Sequence, residues 1–318
     1  MEAYRNIRPE ELRCVELGHG TSRAWICPGM GGNCLRLSIG GAELLRTPES
    51  FERLCAAPCV YGTPILLPPN RIADGRFTWR NQTYLLPVNE PGRNNHIHGF
   101  LADAPFVVAA RHTRSDADEI ELCYGSALDS RYASQGLLFQ LEIRYALGAD
   151  GLRQTILLKN GDKPLPLGLG QHTALRAPFL PGGIAEDARL RVDAREQWTI
   201  NRERIHPTGE HADTPLAQAL RKGLTTPCAQ PLSALFTLGE GGMELRDRAK
   251  GAAVRYEVEG YPFVMLWNQD ASREFVCCEP QTWLVNAPHI SLPPAQTGFF
   301  PLEPYEERVY RTRLNLGV

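Results

Sequence analysis

Nowhere in its 318 residues does the chain hold a run of about 18 or more apolar residues, so no transmembrane helix is expected. Its first residues, Met1-Glu2-Ala3-Tyr4-Arg5, lack the basic start and apolar core of a secretion signal, and a cytoplasmic location is the expectation that follows. A disulfide framework is missing as well. Nine cysteines are an odd number at irregular spacing, which predicts reduced thiols in a reducing compartment. Cys55 lies near Cys59 and Cys277 adjoins Cys278, yet neither pair is matched by a second at zinc-ribbon spacing, so no structural metal is expected. The net charge is −2 and the Lys and Arg residues are scattered, without the basic stripe that neutralises a phosphate backbone. Nucleic acid and membrane are therefore not expected partners.

Long helical patterns are also scarce. Twenty-nine glycines and twenty-five prolines punctuate the chain at intervals that long helices would not tolerate. Only Pro215 to Leu224 reads as helical, with proline near its start and Gly223 near its end.

What the chain has is alternation. Glu119–Tyr124, Leu138–Tyr145, Val254–Val258 and Val309–Leu314 alternate apolar with polar residues, as half-buried strands do. Gly148-Ala149-Asp150-Gly151 reads as a hairpin loop between two strands, and Asn160-Gly161-Asp162 closes the second of them. With 43% hydrophobic and 22% charged residues the chain can bury a large core. No repeat, linker or composition shift divides it. The expectation is all-β, stacked antiparallel sheets or a large sandwich, as one domain over residues 1–318.

Three distant stretches carry chemistry. The first holds Asn70-Arg71-Ile72 and Asn95-His96-Ile97-His98-Gly99. A guanidinium with several donors in a rigid fork can hold neighbouring sugar hydroxyls in one orientation, although a lone arginine beside a turn is ordinarily a surface charge. The second, Gly168-Leu169-Gly170-Gln171-His172-Thr173, follows a glycine-rich apolar run, so His172 is expected at a strand end or bend where backbone approaches a ligand. The third, Phe275-Val276-Cys277-Cys278-Glu279-Pro280, embeds a carboxylate in an apolar run, where burial raises its pKa toward that of a general base. Glu274, outside the run, reads as a solvated strand end. Trp267 and Trp283 offer apolar faces for a pyranose ring, with core packing as the alternative. An acid and a base near neutrality are what opening a pyranose ring requires.

These segments resemble the aldose 1-epimerase (galactose mutarotase) family. Tyr61 to Phe100 is similar to a G-x-P-x-L-x-P-x-N-R-I, G-x-F, N-x-x-H-G pattern, Gly168 to His172 to a G-x-G-x-H stretch, and Phe275 to Ala287 to an F-x-C-x-E-P-x-T-x-x-x-N-A pattern. The resemblance runs from about Val15 to Leu314 and implies a galactose mutarotase-like supersandwich that interconverts the α and β anomers of a hexopyranose without a cofactor. It implies Glu279 as the base toward the anomeric hydroxyl, His172 as the acid toward the ring oxygen, and Arg71, His98 and Asn70 as sugar-contacting residues. His98, immediately before glycine, takes the motif position, and His96 is expected to be an exposed or partly buried strand residue.

Two departures stand out. Thr173-Ala174-Leu175 follows His172 where the family has proline, tyrosine and phenylalanine, and Ser233 stands where the family usually has a sugar-contacting aspartate. Arg76, Arg80 and Arg93 lie in the same segment as Arg71, which raises hexose 6-phosphate as an alternative substrate. A non-catalytic sugar-binding protein on the same fold is the second alternative.

Overall fold

The computed structural model describes residues 8–268 and 274–317. Its centre is a 14-stranded sheet whose pairings are all antiparallel. From one edge the order is Val107–Thr113, Ala117–Gly125, Phe139–Gly148 and Gly151–Asn160, a meander of local hairpins. Next comes the C-terminal strand Glu307–Gly317, followed by Ala253–Glu259, Ser233–Asp247, Phe263–Trp267, Phe275–Gln281, Gly170–Gln171 and Ile65–Leu66. A four-stranded sheet from Val15 to Glu43 packs on the meander, and the apolar faces of both sheets, among them Leu17, Ile26, Leu37, Ile120, Leu141 and Ile156, form one continuous core. The molecule is a large antiparallel β-sandwich.

Alternation in the sequence maps directly onto burial. Along Phe139–Gly148 the residues at every second position are buried, and Gly148 pairs with Gly151 across the anticipated hairpin. Gly151 has φ +104°, a conformation glycine adopts without strain. The helix anticipated over Pro215 to Leu224 spans Pro215–Arg221; the Thr214 side chain accepts from Ala217 N at its start, and Gly223 at φ +66° ends it. None of the four α-helices among the described residues exceeds this length, and none is long and apolar enough to cross a membrane. All nine cysteines are free thiols.

Candidate active site

The strand Phe275–Gln281 is buried along its whole length, so its two faces meet different surroundings. Val276 and Cys278 point into the main core, while Phe275 and Cys277 pack with Ala174 and Trp267 on the opposite face. By the two-residue period Glu279 shares that second face. Exposed Glu274 precedes the strand. On one side the strand pairs with Phe263–Trp267, Met265 opposite Glu279. On the other it pairs with two short strands, Gly170 opposite Gln281 and Thr173 opposite Cys278. His172 lies in the break between them, its N–H donating to Pro64 O at 3.0 Å. Continuing the register across that break sets His172 beside Glu279, a cross-strand pair with side chains on one face. Its Nε2 is 3.2 Å from Glu279 Oε1.

A second wall comes from a small ribbon, Arg71–Ala73 paired with Asn95–Ile97. Asn286 anchors it, donating from its N to Arg71 O and accepting from Ala73 N at its Oδ1, both at 2.9 Å. At the ribbon's end His98 N donates to Asn70 O at 2.9 Å. Gly99 follows at φ +64°, and a Cβ there would stand 2.0 Å from Leu67 O, so the bend that aims His98 requires glycine. Asn70 donates from Nδ2 to Glu279 Oε2 at 3.5 Å and accepts at Oδ1 from Arg71 Nη1 at 3.2 Å. The His98 and His172 rings meet edge to face with centroids 5.1 Å apart. The Nδ1 atoms of both rings are buried without a hydrogen-bond partner.

These groups enclose a cleft of about 210 Å³ lined by Asn70, Arg71, His98, His172, Trp267 and Glu279, with Cys59, Val60, Ile97 and Met265 completing the wall. Its volume falls below the roughly 300–1,000 Å³ of clefts that hold drug-sized ligands, a size for one sugar ring. The five residues singled out above thus share one cavity. Trp267 flanks it, 5.8 Å from the His172 ring. Trp283 does not reach it: only 1% exposed, it lies against Gly168, where a Cβ would be 2.5 Å from the indole. A larger cavity of about 420 Å³ runs along Trp283, Phe299 and Tyr310, but no acid–base pair faces it.

Burial governs the electrostatics. It pushes the Glu279 carboxyl up to about 8, against the opposing pull of the Arg71 cation. It pushes His172 down to about 4, with Arg71 adding to the effect, and drives His98 well below the ordinary histidine value. Two adjacent groups that both resist charge hold a single proton between them over that interval.

His96 is buried rather than exposed or partly buried. Its Nδ1 lies 2.8 Å from Pro87 O and its ring packs on Phe100, because the ribbon turns this side chain away from the cleft. Arg80 is exposed and paired with Glu303, Arg76 is exposed, and Arg93 approaches Glu90 at 3.8 Å; none of the three lines the cleft. The residue that sequence reasoning missed is Glu90, which receives Arg71 Nε at 2.8 Å and Nη2 at 2.9 Å. Set among Asn, Pro and Gly, it carries the signature of a turn, and only its closeness in sequence to the ribbon hints at a partnership. Among the described residues no group of three or more His, Cys, Asp or Glu side chains could hold a metal ion.

Fold and cleft define an antiparallel sandwich that carries a buried carboxyl–imidazole pair in a cavity of monosaccharide size. The chain belongs to the aldose 1-epimerase family, whose model matches residues 13–314. A galactose mutarotase-like protein from Clostridium acetobutylicum is 30% identical and superposes with a TM-score of 0.92 over 96% of this chain and 95% of its own. A galactose 1-epimerase from Lactobacillus acidophilus shares the fold at 17% identity, TM-score 0.69, over 96% of this chain and 94% of its own. The uncharacterized protein YihR of Escherichia coli is 27% identical over 202 residues, which span 62% of this chain and 60% of that protein.

Proposed function

We propose that this protein is an aldose 1-epimerase that opens and recloses the ring of a free hexopyranose. The observation that carries the reading is the in-register contact of Glu279 and His172 at the floor of the cleft. The anomeric hydroxyl oxygen and the ring oxygen are bonded to the same carbon, so an acid and a base that touch each other can touch both oxygens at once. Glu279 as carboxylate takes the proton from the hydroxyl on C1, and His172 as imidazolium gives its proton to the ring oxygen. The C1–ring-oxygen bond breaks as the C1 carbonyl forms. The pair is left as carboxylic acid and neutral imidazole, still with one proton between them. The aldehyde rotates about C1–C2, and the transfers run backwards to close the ring on its other face. Burial favours the neutral form of the pair, carboxylic acid beside imidazole, so the charged form that begins the reaction is the minor one and its proton transfers end in the favoured form. Arg71, His98 and Asn70 hold the sugar, and Trp267 offers its apolar edge to the ring.

Free sugar is favoured over hexose 6-phosphate because Arg76, Arg80 and Arg93 stay outside the cleft and Arg71 is already balanced by Glu90. Polarimetry on a panel of hexoses and their 6-phosphates tests both parts. Accelerated mutarotation of glucose or galactose is the expected result; acceleration of no sugar would end the enzymatic reading, and a hundredfold preference for a phosphate, measured at low and moderate salt, would reverse the choice of substrate.

A further inference from the structure

We propose that Glu90 is a positioning residue that acts through Arg71, held in place by Asn95 and His206; this rests on the reading of Arg71 as a sugar-holding group. Glu90 stands in the turn before the Asn95–Ile97 strand and meets the guanidinium side-on, through Nε and Nη2. The carboxylate is itself held: Asn95 Nδ2 donates to Glu90 Oε2 at 2.9 Å and to Arg204 O at 3.1 Å, and the Glu90 and Asn95 backbones pair across the turn. Asn95 is fully buried, and its Oδ1 lies 2.9 Å from His206 Nε2. Burial pushes His206 down to about 4, so at neutral pH it meets Asn95 as an uncharged ring with Nε2–H as donor. A polar chain therefore runs from His206 through Asn95, Glu90, Arg71 and Asn70 to Glu279, each link a hydrogen bond between side chains.

This chain has two consequences at the sugar. Of the five N–H groups of Arg71, the contacts with Glu90 and Asn70 engage three and leave one on each Nη for a ligand, so the fork has one orientation. Glu90 also balances a cation whose field opposes the raised pKa of Glu279. Without it Arg71 would hold the carboxylate ionised and make it a weaker base. The other titratable groups near Glu279 are His172 and the low-pKa His98, which face it, and the thiols Cys59, Cys277 and Cys278, which burial keeps neutral.

The test compares Glu90→Gln, Glu90→Asp, Arg71→Gln and the Glu90→Gln/Arg71→Gln double variant on whichever hexose the wild type turns over best. Glu90→Gln should lower kcat/KM roughly tenfold or more, chiefly through KM, and should move the alkaline limb of the pH profile down by about half a unit or more. Glu90→Asp keeps the charge but shortens the fork, so the limb should return while KM stays raised. The double variant should be no worse than Arg71→Gln. An unmoved limb with unchanged KM in Glu90→Gln, or full additivity in the double variant, overturns the proposal. If Glu90→Gln does not fold, Glu90→Asp decides, and an unchanged KM there overturns it. Should the wild type anomerise nothing, the functional reading fails separately, and the coupling is read by infrared titration of the Glu279 carboxyl band, identified by its loss in Glu279→Gln. A lower midpoint in Glu90→Gln than in wild type supports the proposal, and equal midpoints refute it.

Discussion

Glu279 and His172 are two buried groups that each disfavour charge, and their behaviour with pH follows from the pair rather than from either residue. One proton is bound between the value of about 4 for His172 and about 8 for Glu279. The plot of kcat/KM against pH should be a plateau between those limits, falling below the first as a second proton binds and above the second as the shared proton leaves. A steep optimum inside that interval would contradict the shared-proton description. Glu279→Gln should retain sugar binding while kcat falls by about a hundredfold or more, and His172→Asn should lose turnover comparably. Stability should move the other way for Glu279. Its folded pKa is raised from 4.5, so its contribution is full below 4.5 and is lost as pH rises through about 8. Glu279→Gln escapes that loss, and its melting temperature relative to wild type should climb by a few degrees between pH 6 and pH 9. A constant difference across that range would show that the carboxyl is not desolvated as described.

At the scale of elements, the two tryptophans of the third sequence segment separate cleanly. Trp283 fills a core site against Gly168 and Phe299, so Trp283→Ala should cost about 3–5 kcal/mol in a denaturant titration. Trp267 flanks the cleft and is half-buried, so Trp267→Ala should raise KM severalfold for a smaller loss of stability. The ribbon end makes a third case. Gly99→Ala combines a left-handed φ with a collision at Leu67 O, and should destabilise by roughly 1–3 kcal/mol while displacing His98 enough to raise KM. Period-two alternation made Ala117–Gly125 and Phe139–Gly148 of the meander legible because each is half-buried. It said much less about Phe275–Gln281, buried on both faces, where the apolar run Phe275 to Cys278 conceals which side chains face the cleft. Glu279 was legible there as a charge out of place, and the two tryptophans were not distinguishable by type at all.

Across the whole molecule, four histidines, His96, His98, His172 and His206, are all pushed below their ordinary value by burial. A depressed folded pKa contributes stability that is present above 6.5 and is lost as pH falls through the folded value, so thermal stability should decline between pH 6.5 and about 4. Replacing His206 with Gln should flatten part of that decline, which differential scanning calorimetry would register. The sequence patterns made the sandwich and the identities of Asn70, Arg71, His98, His172 and Glu279 readable because each belongs to a local motif. The linkage of Glu90 and Asn95 to His206 was not, since it joins one turn, which carries Glu90 and Asn95, to a segment more than a hundred residues away, and no local pattern encodes such a convergence.

His172 and Glu279, the proposed acid and base, face each other across neighbouring segments of one sheet, with strand residues immediately on either side of each. One residue inserted between Gly170 and His172, or between Phe275 and Glu279, would rotate every following side chain to the opposite face and bury the imidazole or the carboxyl in the core. Inheritance of this centre is therefore a matter of counting as much as of lettering. Related chains are free to exchange most of their residues and to lengthen their turns, but the intervals within these strands must be copied without gain or loss, and a lineage that slips by one position there forfeits the pair while keeping both of its members.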